Sequence, residues 1–160
     1  MGAGKSTVGR LIADRLDRPL IDSDIVIWRS TGMSAADIAD DFGIERLHEI
    51  EGVVLRRCLA RSNGAVITAA ASVVDAPDVV SRLRNGREFV ALLTASPKEC
   101  ARRTDSGAHR RPVLEEERER LFEQRIPEYR RAADIEIDTT SLDALEVAEL
   151  VVNALWVSWP

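Results

Sequence analysis

Six consecutive residues near the start of this chain, Gly2-Ala3-Gly4-Lys5-Ser6-Thr7, have the types and order needed to hold a polyphosphate. Glycines admit backbone angles that a Cβ forbids, so successive N–H groups can turn inward around phosphate oxygens. Lys5 would reach the β- and γ-phosphates and Ser6 would hold Mg²⁺, while a helix opening at Thr7 would aim its positive end at the same anion. Gly4-Lys5-Ser6 matches the end of the pattern Gly-x-x-x-x-Gly-Lys-Ser/Thr, whose first glycine would fall just before Met1. A Gly-rich turn ahead of an ordinary helix would read the same over these residues.

Two further groups bear on that choice. Asp22-Ser23-Asp24 closes a short apolar run, Pro19-Leu20-Ile21, that reads as a strand. In open α/β sheets ligands sit beyond the carboxyl ends of strands, where both aspartates would lie. Carboxylates at i and i+2 can divide labour, Asp22 toward the outer shell of Mg²⁺ and Asp24 toward a substrate hydroxyl as orienting group or base. The bland alternative is a capping box or Asx-turn, because a helical run follows from Ile25 to Ser30. Farther on, Arg102 and Arg103 precede a loop from Asp105 to Pro112 that itself carries Arg110 and Arg111. They are either a solvated charge run or a lid that brings cations to a bound nucleotide while excluding water.

These groups need a scaffold, and the bulk composition permits one. With 160 residues, 45% hydrophobic and 31% charged, the chain is expected to form one domain with a sizeable core. A net charge of −5 lacks the basic footprint of a nucleic-acid binder, so a small-molecule substrate is the expected partner. Cys58 and Cys100 fall in helical segments without metal-ligand spacing and are expected as buried free thiols. No charged-then-apolar leader and no apolar run of about 18 residues occurs, so no membrane association and a cytoplasmic address are expected.

Periodicity supplies the elements. Val8, Leu11, Ile12 and Leu16 recur at helical spacing over Thr7 to Leu16. Ser34 is an N-cap for Ala35 to Phe42, with Asp37 at the capping-box position, and Ile44 to Arg61 forms a longer helix. Ala65 to Thr68 and Glu88 to Leu93 read as strands, with a helix from Pro77 to about Leu83 between them. Ser96-Pro97 starts a helix ending at Arg102-Arg103-Thr104. Glu115 to Ala132 is helical with a kink or break expected at Pro127, Ile135 to Asp138 is a strand, and Leu142 to Trp156 closes the chain as a helix.

Laid out in this order, the chain resembles shikimate kinases, small P-loop kinases of the nucleoside-monophosphate-kinase-like fold. The landmarks are Gly2-Ala3-Gly4-Lys5-Ser6-Thr7 with Gly9, Asp22 and Asp24, Thr31-Gly32-Met33-Ser34 before Ile38, Arg102-Arg103-Thr104, Arg111-Pro112, Tyr129-Arg130 and Ile137-Asp138-Thr139. The resemblance implies an α/β, three-layer fold with a parallel sheet flanked by helices. It further implies a helical substrate-binding insertion over about 31–62 and a lid over about 104–115. The implied activity is ATP- and Mg²⁺-dependent phosphorylation of shikimate to shikimate 3-phosphate, in chorismate and aromatic amino-acid biosynthesis. By the same resemblance Lys5 and Ser6 bind phosphate and Mg²⁺, Asp22 supports the metal and Asp24 the acceptor hydroxyl. Arg111 would neutralise charge on the transferring group, Arg103, Asp138 and Thr139 would flank adenine, and Arg130 would pair with the substrate carboxylate.

Three departures from the family pattern stand beside it. A Phe-Arg pair that serves the acceptor carboxylate is Leu47-His48 here, with Glu51 retained, and His48 offers neither fixed charge nor a bidentate fork. A Gly-Gly-Gly run is Ala69-Ala70-Ala71, where strain of about 1 kcal/mol per residue would follow if the backbone needed positive φ. The first, central strand of the fold is missing, so the chain is expected to be unstable unless the strands at Ala65 to Thr68 and Glu88 to Leu93 close up together. The simplest expectation is that an upstream strand and glycine precede Met1, with a truly truncated protein as the alternative. His48 and the alanines leave open a kinase for another hydroxylated metabolite, or a nucleotide-binding protein with little catalysis. A monomer is the simpler expectation.

Overall fold

The computed structural model describes residues 2–61, 63–104 and 115–158. Helix α1 (Lys5–Leu16) leads to strand β1 (Leu20–Asp22), then three helices follow: α2 (Ser23–Thr31), α3 (Ala35–Phe42) and α4 (Ile44–Arg61). Strand β2 (Val66–Thr68), a 3-10 turn (Ala71–Asp75), α5 (Pro77–Asn85), β3 (Ala91–Thr94) and α6 (Pro97–Thr104) come next. The chain continues through α7 (Glu115–Ala132), β4 (Ile135–Asp138) and α8 (Ala144–Ser158).

The local signals explain most of these boundaries. Ser34 accepts a hydrogen bond from the Asp37 N–H at 3.1 Å while Asp37 accepts from the Ser34 N–H at 2.9 Å, the reciprocal capping box that starts α3. Asp22 is the N-cap of α2, its carboxylate accepting from the Asp24 N–H at 3.0 Å.

Four strands pair in parallel as two ladders. Leu20, Ile21 and Asp22 of β1 face Val66, Ile67 and Thr68 of β2, while Ala91 to Thr94 of β3 face Ile135 to Asp138 of β4. Among the described residues no ladder joins β2 to β3, so these strands do not close up on each other. They share an apolar layer instead: Val66, Ala91, Leu93 and Ile137 pack with Val8 and Ile12 of α1 and Val147 and Val151 of α8. Successive strand residues point to opposite faces, and Ile67 accordingly packs on the other side, against Ile27, Leu47, Val54 and Leu55. Helices therefore cover both faces of the strands, which is the three-layer α/β arrangement expected.

Two expectations need correction. Strand β3 starts at Ala91 rather than Glu88, because the N–H of Val90 is taken by the Asp134 carboxylate at 2.7 Å and Glu88 is held by Arg82 of α5. Helix α7 runs through Pro127 without a break. Contacts on both sides of the proline hold it: Arg125 binds Asp75 at 2.8 and 2.5 Å, and the Tyr129 hydroxyl donates to the Ala71 carbonyl at 2.8 Å. Cys58 and Cys100 are free and buried, as expected. No helix among the described residues is long and apolar enough to cross a membrane.

Candidate functional site

The N-terminal loop, the carboxyl ends of β1 and β2, and helices α3 and α4 open onto one cavity of about 2380 Å³. Sites for a single small ligand are typically about 300 to 1000 Å³, so this one has room for two reactants side by side.

One end is built for phosphate. Gly2 and Gly4 adopt φ of 88° and 87°, the left-handed region that side-chain-bearing residues avoid. Gly4 is the N-cap of α1, so the N–H groups of that helix's first turn and its positive end face the loop. Gly2, Ala3, Gly4, Lys5, Ser6 and Thr7 all line the cavity. Gly2 is needed for a second reason: a Cβ there would lie 2.6 Å from the carbonyl oxygen of Cys100 on α6.

The same end gathers Arg103 and Thr139, which sequence reasoning assigned together. Arg103 donates to the Thr139 hydroxyl at 2.9 Å and to its carbonyl at 2.8 Å, and its Nε binds Glu99 at 2.7 Å. Both residues line the cavity. Asp138 does not; its carboxylate is engaged by the N–H and hydroxyl of Thr140 at 2.9 and 2.5 Å. Its pKa is lowered by those two hydrogen bonds.

Between the two ends stand Asp22 and Asp24, both lining the cavity. Asp22 does cap α2, as the bland alternative had it, but that uses one carboxylate oxygen and leaves the other. Opposite Asp22 in the ladder is Thr68, 7% exposed, whose hydroxyl is the buried side-chain polar atom among the described residues that lacks a hydrogen-bond partner. An orphaned buried hydroxyl on the ladder partner of Asp22, in a cavity that Ser6 also lines, suits a hydrated divalent cation, since Mg²⁺ keeps several waters and takes few protein oxygens. The residues present therefore fit both a nucleotide and its metal.

The far end is formed by His48 and Glu51 of α4, Ala69, Ala70 and Ala71 after β2, Ser72, and Arg125 of α7. The alanines are not strained: Asp17 is the non-glycine residue with positive φ among the described residues, and Ala70 is extended at φ −62° and ψ 154°. The expected penalty for positive φ thus does not arise, and what remains of that departure is three added methyls. His48 is half-buried, and burial, with the Arg125 charge beside it, lowers its pKa, so near neutral pH it is an uncharged ring. Burial raises the Glu51 pKa against the opposing hydrogen bond from Ser72, with the nearby Asp24 charge adding to the rise. Burial also pushes the Tyr129 hydroxyl up to about 12, keeping it a neutral donor.

Arg130 is not at this end. Its exposed side chain pairs with Glu136 at 2.8 Å, away from the cavity. Five positions along a helix are about 140° around its axis, so Arg130 and Arg125 face different ways. Arg125 lines the cavity, as does Arg120 earlier on α7, and the sequence signal for Arg125 was its i,i+4 spacing to Tyr129, which shares its face. Thr68, Trp28 and Asp75 were also missed as contributors. Arg111 and most of the expected lid lie outside the described residues.

The shikimate kinase family model matches residues 1–156. Shikimate kinase of Mycobacterium marinum is 36% identical over 159 residues, covering 96% of this chain and 84% of that protein. The Caldanaerobacter subterraneus enzyme of the same name is 33% identical, covering 96% and 91%. Among solved structures, shikimate kinase from Acinetobacter baumannii in complex with shikimate superposes with a TM-score of 0.90 at 29% identity, over 99% of this chain and 90% of that one. The Bacteroides thetaiotaomicron shikimate kinase, at 23% identity and a TM-score of 0.80, shares the fold over 99% and 93%.

Proposed function

This chain belongs to the shikimate kinase family, an alcohol-accepting phosphotransferase family that uses ATP, and we propose how its own residues carry out phosphorylation of shikimate. The observation that carries the proposal is the single cavity with a phosphate loop at one end, two aspartates in the middle and an arginine in the far wall.

The backbone N–H groups from Gly2 to Ser6 bind and orient the polyphosphate, and Lys5 places its ammonium at the β- and γ-phosphates. Ser6 and Asp22 would hold Mg²⁺, with Thr68 bonding a water of its shell; the ion would supply charge neutralisation during transfer. Asp24 orients the acceptor hydroxyl and takes up its proton as the oxygen becomes a nucleophile. Arg103 and Thr139 form the wall for the base. Arg125, rather than Arg130, meets the acceptor carboxylate, a role the neutral His48 cannot share by charge. Arg111 would neutralise charge on the transferring phosphoryl group. On this reading the helical segment over about 31–62 is the acceptor-binding part of one kinase domain.

The test is ADP release by the purified chain with ATP, Mg²⁺ and shikimate, against the same mixture without shikimate. Shikimate-dependent release is expected. Equal release in both mixtures refutes the reading.

A further inference from the structure

Arg125 and His48, two nitrogen-bearing side chains of the cavity wall, come from different helices, yet both approach one carboxylate. Asp75, at the end of the 3-10 turn, accepts from Arg125 Nε at 2.8 Å and from Arg125 Nη2 at 2.5 Å. His48 Nδ1 lies 3.6 Å from the same carboxylate. Asp75 itself does not line the cavity that His48 and Arg125 line. We propose that Asp75 is a positioning residue for acceptor recognition, holding Arg125 from behind the cavity wall so that the rest of its guanidinium faces the acceptor.

Three observations support this. The first is which edge of the fork is used. A guanidinium can pair a carboxylate side-on, through Nε and one Nη, or end-on, through both Nη atoms. Asp75 takes the side-on edge, through Nε and Nη2, so Nη1 is not used by Asp75. The second is burial: the Arg125 side chain is 13% exposed and so has little freedom once both bonds form. An arginine already fixed loses less rotamer entropy when a ligand binds. The third is charge. Burial works against the Arg125 cation, but the hydrogen bond and charge of Asp75 more than offset it, so the guanidinium stays charged.

Asp75 also gives the Leu47-His48 departure a physical setting. An arginine at position 48 would put a second fixed cation beside Arg125. His48 does not; its Nδ1 instead lies near the carboxylate that holds Arg125.

This inference rests on the reading that Arg125 meets the acceptor carboxylate, and the experiment separates the two. Shikimate and ATP constants are measured by steady-state kinetics, and shikimate binding by calorimetry, for the wild type, Asp75→Ala, Arg125→Ala and the double variant. Asp75→Ala should raise the shikimate KM and Kd at least about tenfold, the equivalent of about 1.4 kcal/mol, and leave the ATP KM within about twofold. The double variant should be no worse than Arg125→Ala, because Asp75 acts through that side chain. Asp75→Asn, which keeps the shape and one acceptor oxygen, should fall between. A tighter shikimate Kd in Asp75→Ala would mean that Asp75 competes with the acceptor, and overturns the proposal. So do an unchanged Kd, an equal rise in the ATP KM, or additive losses in the double variant. An Arg125→Ala variant with unaltered shikimate binding overturns the underlying reading of Arg125 itself. Absence of shikimate-dependent ADP release in the wild type overturns the reaction, whatever the calorimetry gives.

Discussion

Arg103 grips Thr139 twice, through the hydroxyl at 2.9 Å and the carbonyl at 2.8 Å, across 36 residues of chain. The Thr139 hydroxyl in turn lies 2.9 Å from the Thr94 carbonyl and 3.3 Å from that of Ala3. One buried threonine thereby ties α6, the ends of β3 and β4, and the phosphate loop into a single wall.

Arg103→Ala should therefore damage nucleotide binding selectively. Losing two charge-assisted bonds at a part-buried site is expected to cost about 1 to 3 kcal/mol, or roughly tenfold to a hundredfold in the ATP KM. The shikimate KM should stay within about twofold. Parallel titrations of the two substrates check this, and an equal rise in both constants would count against the assignment.

The cap that Asp22 forms on α2 and the Mg²⁺ role proposed for it can be separated by one substitution. Asparagine caps helices as well as aspartate does, so Asp22→Asn should keep α2 and leave Tm within about 2 °C. The lost charge should raise the Mg²⁺ concentration needed for half-maximal rate several-fold. Thermal melts and an Mg²⁺ titration of initial rates read the two effects independently.

Gly2 and Gly4 share a backbone conformation but differ in surroundings. A Cβ on Gly4 would meet Val8 Cγ2 at an ordinary 3.8 Å, whereas one on Gly2 would collide with the Cys100 backbone. Gly4→Ala should cost about 1 to 2 kcal/mol for positive φ alone, a fall in Tm of about 2 to 8 °C. Gly2→Ala should fall further, because backbone on α6 must move. Scanning calorimetry of the two variants ranks them; the reverse order would refute the steric argument.

Glu51 should give stability a pH dependence. Its folded pKa is raised above the usual 4.5 by burial, so between that value and the folded pKa the native state binds more protons than the unfolded chain. Stability from this group is thus lost as pH rises through the window and is unaffected below it. Glu51→Gln, which stays neutral, should flatten the decline. Melting curves of both proteins from pH 4.5 to 7.5 measure it, and parallel slopes would mean that Glu51 does not titrate in this range.

Much of the architecture was legible in the amino-acid order because its determinants are local. The Ser34 and Asp37 box, the 3.6-residue apolar spacing of α1 and α4, and the alternation of Val66 and Ile67 each depend on residues a few positions apart. The phosphate loop was legible for the same reason: its glycines, lysine and serine act as one short run, and their chemistry is set by backbone angles within it. β3 was misjudged at its start because the group that ends it, Asp134, lies 44 residues from Val90.

The acceptor end was the part that only folding could assign. Arg125 and Arg130 look alike in a string of letters, and the landmark Tyr129-Arg130 drew attention to the one that does not line the cavity. A helix turns its residues through about 100° each, so which arginine faces the cavity depends on how α7 packs, not on its composition. The partner that fixes Arg125, Asp75, is 50 residues away. Short-range order decided that this chain binds a polyphosphate between a loop and a helix. Tertiary packing decided which distant side chains meet across the cavity, because directed contacts between them exist only once the helices and strands are laid against one another.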